Sequence, residues 1–193
     1  MQKHAEKAVE SHFKNYLQAA FDRNNEKCKI KPFSNDITKS QADTILARAL
    51  KQSMLYKKLI GKACSYCERP KRYIVKKADG FECSYCGTVN PFHTKDEIDK
   101  KLNKKRTVKV FDWNSENFEK DTLFSTKDSV RYYKGLLRSG LMSMNPHTGE
   151  IKAWVGGPNF KHFKYDMVKK GKRQVGSTFK PFVYATALES GVI

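Results

Sequence analysis

The chain has 193 residues, which is enough for one domain of ordinary size or for two small ones with a real hydrophobic core. Charged residues make up 30% and hydrophobic residues 39% of it, and its mean hydropathy is −0.70, a balance that favours small modules joined by solvated helices over one large core. The net charge of +18 indicates an anionic partner, which could be nucleic acid, phospholipid headgroups or acidic polymers, and the charge alone does not distinguish them. No apolar run is long enough for a membrane-spanning helix.

The first third of the sequence is predicted to be helical. Apolar residues recur every three or four positions from Ala5 to about Phe21, which indicates an amphipathic helix, and a polar linker at 22–34 follows. A second apolar periodicity predicts a helix from near Ser40 to Gly61. The first residues enter a helical pattern at once, and the last residues stop just beyond another helix. We therefore expect both ends to be cut, and the lack of a secretory signal then carries little weight.

Residues 64–92 carry two C-x-x-C motifs fifteen residues apart. This is the spacing of a four-thiolate zinc site, with the ligands Cys64, Cys67, Cys83 and Cys86. A hairpin through Asp79-Gly80 would bring the motifs together as a zinc ribbon, and Gly87 can take the left-handed conformation that such turns use. A closed four-cysteine site leaves no open coordination position, so the zinc would be structural.

Two alternatives to zinc stay open, namely two disulfides or four unligated thiols. Cys28 lies outside the pattern and is predicted to be an ordinary thiol, while His93 is at best a weak substitute ligand.

A strongly basic helix is predicted after the cysteine motifs. Thr94 and Glu97 have capping-box spacing, and the helix should run to about Lys105. A zinc ribbon followed by basic residues also describes a nucleic-acid-binding protein, which is the alternative hypothesis for this chain. The basic residues concerned are Lys100, Lys101, Lys104, Lys105, Arg106 and Lys109. Basic helical faces are more often simply solvated, so we expect nucleic acid not to be the partner.

The remaining sequence alternates between strand and helix patterns. A strand is predicted around Val108 to Phe111, and a helix from Ser125 to Arg138 that Gly140 closes. Residues 141–145 and 151–155 then predict a β-hairpin around a Pro-His-Thr-Gly turn.

A possible nucleophile lies near the end of the chain, in the S-x-x-K motif formed by Ser177 and Lys180. Three residues apart on a helix, the two side chains fall on one face, so the amine can reach the hydroxyl. A serine hydroxyl needs a neighbour that accepts its proton, and a lysine desolvated in a cleft is neutral often enough to do so. Alone the motif is weak, because a serine N-cap followed by a surface lysine gives the same pattern.

The surrounding sequence resembles class A penicillin-binding proteins, the bifunctional enzymes that polymerise and cross-link peptidoglycan. The closest resemblance lies in the nucleophile segment, residues 173–184, which reads RQVGSTFKPFVY. Residues 142–157, MSMNPHTGEIKAWVGG, are similar to the hairpin that precedes the motif in that family. The link at 163–166, FKYD, is similar to members from Bacteroidetes-type bacteria.

This resemblance implies a serine-type transpeptidase. Ser177 would be acylated by the D-Ala-D-Ala end of a stem peptide, or by a β-lactam, and Lys180 would take and return the proton. Such enzymes act on the periplasmic side of the inner membrane, tethered by an N-terminal anchor that is missing here. They also use a later S-x-N and K-[ST]-G, and neither follows Ser177, so we expect this chain alone to be inactive.

The predicted fold class is α+β, in four parts. A helical linker at 1–63 would follow a missing glycosyltransferase domain, and the zinc-ribbon-like insert at 64–92 comes next. A basic helix at 93–106 then leads into the incomplete N-terminal part of a transpeptidase domain at 107–193. An oxidising periplasm would favour disulfides over zinc thiolates, so this location leaves the state of the cysteines open.

Overall fold

The computed structural model describes residues 1–192, which form two compact units of mixed helix and sheet. One unit comprises Lys7–Leu137, and the other combines Met1–Glu6 with the chain from Arg138 onward. The helices are α1 (Gln2–His12), α2 (Gln18–Glu26), α3 (Lys39–Gln52), α4 (Met54–Leu59), α5 (Lys95–Asn103), α6 (Thr126–Lys134), α7 (Met167–Lys170) and α8 (Lys180–Glu189). The strands are β1 (Ile74–Lys76), β2 (Gly80–Cys83), β3 (Val89–Pro91), β4 (Arg106–Phe111), β5 (Glu119–Phe124), β6 (Leu141–Met144) and β7 (Ile151–Val155). No helix in residues 1–192 is long and apolar enough to cross a bilayer.

The first helical segment is longer than its apolar pattern predicts. A π-helical turn at Phe13–Leu17 joins α1 to α2, and α2 continues to Glu26, through part of the predicted polar linker. Gln18 explains this extension, because its buried amide donates hydrogen bonds to Asp22 Oδ1 and to the Gly135 carbonyl, both at 2.9 Å. A buried amide that is fully hydrogen-bonded holds the helix in place where no apolar residue does.

The predicted helix from Ser40 to Gly61 is in fact two helices. Thr38 begins α3 through a capping box with Gln41, and the chain becomes extended at Ser53, where ψ is 145°. The Ser53 hydroxyl accepts a hydrogen bond from the Tyr56 amide and so begins α4. The sequence prediction was wrong here because apolar residues continue across the break, whereas the serine provides a new N-cap.

The cysteine-containing segment forms a three-stranded antiparallel sheet in the order β1-β2-β3. The predicted hairpin through Asp79-Gly80 is present, with the Lys77 amide bonded to the Gly80 carbonyl at 2.8 Å. Gly80 also permits close strand pairing, because a Cβ there would lie 2.3 Å from the Asn90 carbonyl oxygen.

A second hairpin, β4–β5, contributes to the core of its unit and is hydrogen-bonded to α6. Val110, Phe111 and Trp113 are buried, and the Tyr132 hydroxyl donates a 2.7 Å hydrogen bond to the Phe111 carbonyl. Strand β5 was not predicted, because its charged sequence (EKDTLF) is not typical of a strand unless the pairing with β4 is known. Helix α6 begins at its predicted Ser125 cap but ends at Lys134, before the predicted Gly140, because the chain turns at Gly135.

The other unit contains the predicted hairpin β6–β7. Leu141 pairs with Val155 and Met142 with Trp154, and a bulge lies between Ser143 and Met144. The Asn145 side-chain oxygen closes the turn by accepting hydrogen bonds from the backbone amides of His147 and Thr148, which is the local geometry that an asparagine before proline favours.

Candidate active-site helix and cysteine cluster

Ser177 and Lys180 lie where a tight helical turn runs into α8. The turn is a 3₁₀ helix at Gly176–Phe179, and the Lys180 amide donates a hydrogen bond to the Ser177 carbonyl. Gly176 has φ +51°, a left-handed conformation that costs glycine little. Pro181 lies within the first turn of α8, where its missing N–H is tolerated.

The two side chains of the motif are exposed and do not contact each other through a hydrogen bond. Within residues 1–192, neither Ser177 nor Lys180 makes a side-chain hydrogen bond or an ion pair. A lysine acts as a general base when burial disfavours its charged form, and an amine in water lacks that burial. In this arrangement, therefore, the hydroxyl and the amine lie on one helical segment without forming an activated pair.

Helix α8 exposes its apolar side chains to solvent. It has no buried residue, and Phe182 is 66% and Leu188 65% exposed. The other apolar side chains of this segment that are more than half exposed are Val175, Phe179, Val183 and Tyr184. A helix that is apolar on all sides needs cover from other parts of a protein, so α8 is built to be an interior helix.

Asp166 fixes the loop between the hairpin and this helix. One of its carboxylate oxygens accepts a 2.9 Å hydrogen bond from Trp154 Nε1, and the other accepts from the amides of Val168 and Lys169, which begin α7. Gly156 makes room for the carboxylate, because a Cβ there would lie 2.8 Å from the carboxyl carbon. From the sequence, Asp166 stands out only as part of the family resemblance at 163–166, and this positioning role was not predicted.

The hydrogen bonds to Asp166 predict an acid-dependent loss of stability. Its pKa is held below the ordinary 3.8 by the Lys169 amide and then by Trp154, against an opposing effect of burial. A depressed pKa stabilises the fold fully above pH 3.8, and the contribution disappears as the pH falls through the depressed value. The fluorescence of Trp154 during unfolding, measured in a chain that carries Trp113→Phe so that one tryptophan remains, should show this acid dependence weakened in Asp166→Asn but kept in the exposed control Glu189→Gln. An unchanged acid dependence in Asp166→Asn would contradict the assignment.

The four cysteines of the two C-x-x-C motifs come together in one cluster. All four Sγ atoms lie within 4.8 Å of one another, and Cys64 and Cys83 are fully buried while Cys67 and Cys86 are half-buried. The predicted ligand set is therefore brought together, and its size suits a single tetrahedral ion. Cys28 stays outside the cluster, and His93 contacts Glu97 and Lys101 instead of the thiols.

The two motifs adopt the same local conformation. The amide of the first cysteine bonds to the carbonyl five residues later in each, Cys64 to Arg69 at 3.0 Å and Cys83 to Thr88 at 2.9 Å. The residue that directly follows each motif has positive φ, +59° at Glu68 and +73° at Gly87. Gly87 confirms the predicted left-handed turn, and Glu68 adopts the same conformation without being glycine, which no sequence rule indicated.

Hydrogen bonds and burial within the cluster shift the pKa values of two of its thiols in opposite directions. The Thr88 hydroxyl, 3.2 Å from Cys86 Sγ, and the Thr88 amide lower the pKa of Cys86 to about 6. The Arg69 amide acts to lower the pKa of Cys67, but burial and contacts with the other three thiols outweigh it and raise that pKa to about 12. Four thiolates this close repel one another, so the cluster is fully deprotonated only if a cation neutralises it.

Two parts of the chain match known protein families. Residues 87–137 match the penicillin-binding protein middle domain, and residues 140–193 match the penicillin binding protein transpeptidase domain. Together the two matches cover more than half of the chain, which belongs to the penicillin-binding proteins. The basic helix α5 lies within the middle-domain match, and the nucleic-acid alternative gains no support from either match.

A short segment of the chain is similar to several curated proteins that share one name. A segment of 56 residues is 50% identical to "Penicillin-binding protein 1A" of Rickettsia typhi, covering 29% of this chain and 7% of the relative. Over 54 residues, or 28% of the chain, it is 44% identical to the proteins of the same name from Vibrio cholerae and Pseudomonas aeruginosa, covering 6% and 7% of them. The similarity thus spans a small part of the relatives' length. No solved structure matches the chain.

Proposed function

We propose that this chain is the interdomain linker and the first part of the transpeptidase domain of a bifunctional, serine-type cell-wall enzyme. Ser177 would attack the carbonyl of the D-Ala-D-Ala end of a stem peptide, and Lys180 would accept the hydroxyl proton. D-Alanine would leave as an amine, and the acyl group would pass to an amine on a neighbouring strand. β-Lactams would acylate the same serine.

The uncovered helix α8 is the observation that carries this proposal. The transpeptidase match includes both S-x-x-K residues, and α8 follows them with large apolar side chains exposed on all sides. The rest of a transpeptidase domain would cover these side chains, bury Lys180 and add the S-x-N and K-[ST]-G groups. Burial of the amine would disfavour its positive charge and make the proton transfer from Ser177 possible.

We expect the 193-residue chain by itself to form no covalent adduct with a fluorescent penicillin. Ser177 and Lys180 are exposed, and no later motif is present to bind the ligand carboxylate. In-gel fluorescence after incubation with labelled penicillin would test this, beside a complete penicillin-binding protein 1A as the positive control. A band that survives denaturation would contradict the expectation and would mean that the missing motifs are dispensable for acylation.

The cysteine cluster is proposed to hold one structural Zn²⁺ in a zinc-ribbon-like insert. The four buried and half-buried sulfurs fit a tetrahedral thiolate site, and all four positions would be filled by protein, so the ion would stabilise the fold only. The predicted domain boundaries, with the insert at 64–92, belong to the same proposal.

The location follows from the proposed reaction. Stem peptides are cross-linked outside the cytoplasmic membrane, so the enzyme would act on the periplasmic side of the inner membrane, held there by an N-terminal anchor. The net charge of +18 suits a surface of anionic lipid headgroups. A glycosyltransferase domain preceding residue 1 would complete the bifunctional enzyme.

A further inference from the structure

Two pairs of sulfurs in the cluster lie within hydrogen-bonding distance, and each pair joins one C-x-x-C motif to the other. Cys64 Sγ lies 3.5 Å from Cys86 Sγ, and Cys67 Sγ lies 3.7 Å from Cys83 Sγ. We propose that the cluster is an oxidant-responsive site, in which hydrogen peroxide converts these two contacts into two disulfides and thereby releases the metal. This inference rests on the zinc site proposed above.

The two sulfurs of each pair differ in burial, and this difference determines which of them reacts first with peroxide. In each pair one sulfur is fully buried, Cys64 or Cys83, and the other is half-buried, Cys86 or Cys67. Each half-buried sulfur follows an exposed tyrosine in the chain, since Tyr66 is 80% and Tyr85 61% exposed. Peroxide therefore reaches Cys67 and Cys86 first, and the buried sulfurs act as the resolving partners.

The chemistry needs only peroxide as the oxidant. The sulfur of Cys86 attacks one peroxide oxygen, the O–O bond breaks, and hydroxide leaves, so that Cys86 becomes a sulfenic acid. The sulfur of Cys64 then attacks the sulfur of Cys86, the S–O bond breaks, and the second oxygen leaves as hydroxide. Protons from thiols or solvent convert both hydroxides to water. The pair has lost two electrons to one peroxide, and Cys67 and Cys83 consume a second peroxide in the same way.

The pairing determines what happens to the fold. Disulfides are poor zinc ligands, because each sulfur has lost its thiolate charge, so the ion is released. Bridges between the motifs would join the same two turns that the ion joined, and the β1–β2 hairpin would be kept. Bridges within each C-x-x-C would leave the two turns unconnected. The folded geometry thus predicts that two disulfides replace the ion as the connection between the two turns.

Trypsin distinguishes the two pairings directly. Cleavage after lysine gives one peptide of residues 63–71 with Cys64 and Cys67, and another of residues 78–95 with Cys83 and Cys86. The zinc-loaded chain carrying Cys28→Ser would be treated with two equivalents of hydrogen peroxide and digested. We expect loss of four thiols, release of one zinc per chain to a chromophoric chelator, and a single product in which the two peptides are linked. Partial reduction with differential alkylation should then assign the Cys64–Cys86 and Cys67–Cys83 bonds.

The control is the same chain oxidised after it is denatured and freed of metal. Chain entropy then favours the short loops within each C-x-x-C, so two separate peptides with internal disulfides are expected. The inference is overturned if the zinc-loaded chain gives this same unlinked pattern, or if it keeps its zinc and thiols in peroxide; the zinc proposal survives both results. If the purified chain binds no zinc, both the zinc proposal and this inference fail.

Discussion

Replacing Ser177 with alanine should abolish covalent labelling by penicillin in a complete enzyme that carries this segment. A suitable host is the Vibrio cholerae penicillin-binding protein 1A, 44% identical over 54 residues, with residues 140–193 of this chain in place of its own corresponding segment. Removing an attacking hydroxyl leaves only binding, so the acylation rate should fall by roughly 10³-fold or more. Fluorescent penicillin with time-resolved in-gel detection measures this rate.

Two further variants make this prediction specific. Ser190→Ala removes another exposed hydroxyl of the same segment, one that donates only to the Thr186 carbonyl, and labelling should be unaffected. Lys180→Arg keeps the positive charge but cannot lose its proton, so labelling should fall as it does in Ser177→Ala. Equal labelling of Ser177→Ala and Ser190→Ala would show that Ser177 is not the nucleophile.

Removing zinc should unfold the cysteine-containing segment while leaving the rest of its unit folded. The only buried hydrophobic residues within 61–92 are Ala63, Cys64 and Cys83, which is too small an apolar core to hold three short strands. Structural zinc sites contribute about 10–16 kcal/mol of binding free energy at neutral pH, so the folding of this segment should depend on the ion.

Metal analysis and hydrogen exchange together test the zinc site. We expect one zinc per chain, lost in Cys64→Ser and kept in the matched control Cys28→Ser, whose cysteine lies outside the cluster. On chelation, the amides of Lys77 and Ser84 should exchange quickly, whereas that of Phe111, in the core of β4–β5, should stay protected. Slow exchange at Lys77 and Ser84 without metal would show that the sheet needs no ion.

Much of the local structure was predictable because short-range chemistry determines it. The capping boxes at Thr94 and Ser125 begin α5 and α6, and the hairpin β6–β7 follows its predicted turn. The cysteine cluster was predictable from spacing alone, since two residues between cysteines determine the shape of each turn.

Features that depend on distant residues were not predictable. Strand β5 pairs its charged residues with β4, and Gln18 reaches Gly135 across more than a hundred positions. The candidate site shows the same division: the helical placement of Ser177 and Lys180 follows from local sequence, but the activation of the serine depends on burial, which local sequence does not determine. Asp166 was missed as a positioning residue because its partner Trp154 lies on another element.

The attachment site of penicillin tests the central claim most directly. In the Vibrio cholerae host described above, trypsin releases the nucleophile segment in a peptide that begins at Gln174. Fragment-ion mass spectrometry after incubation with penicillin should place the penicilloyl group on the hydroxyl of Ser177. An adduct on the neighbouring Thr178, or on a peptide that does not contain Ser177, would contradict the proposed mechanism.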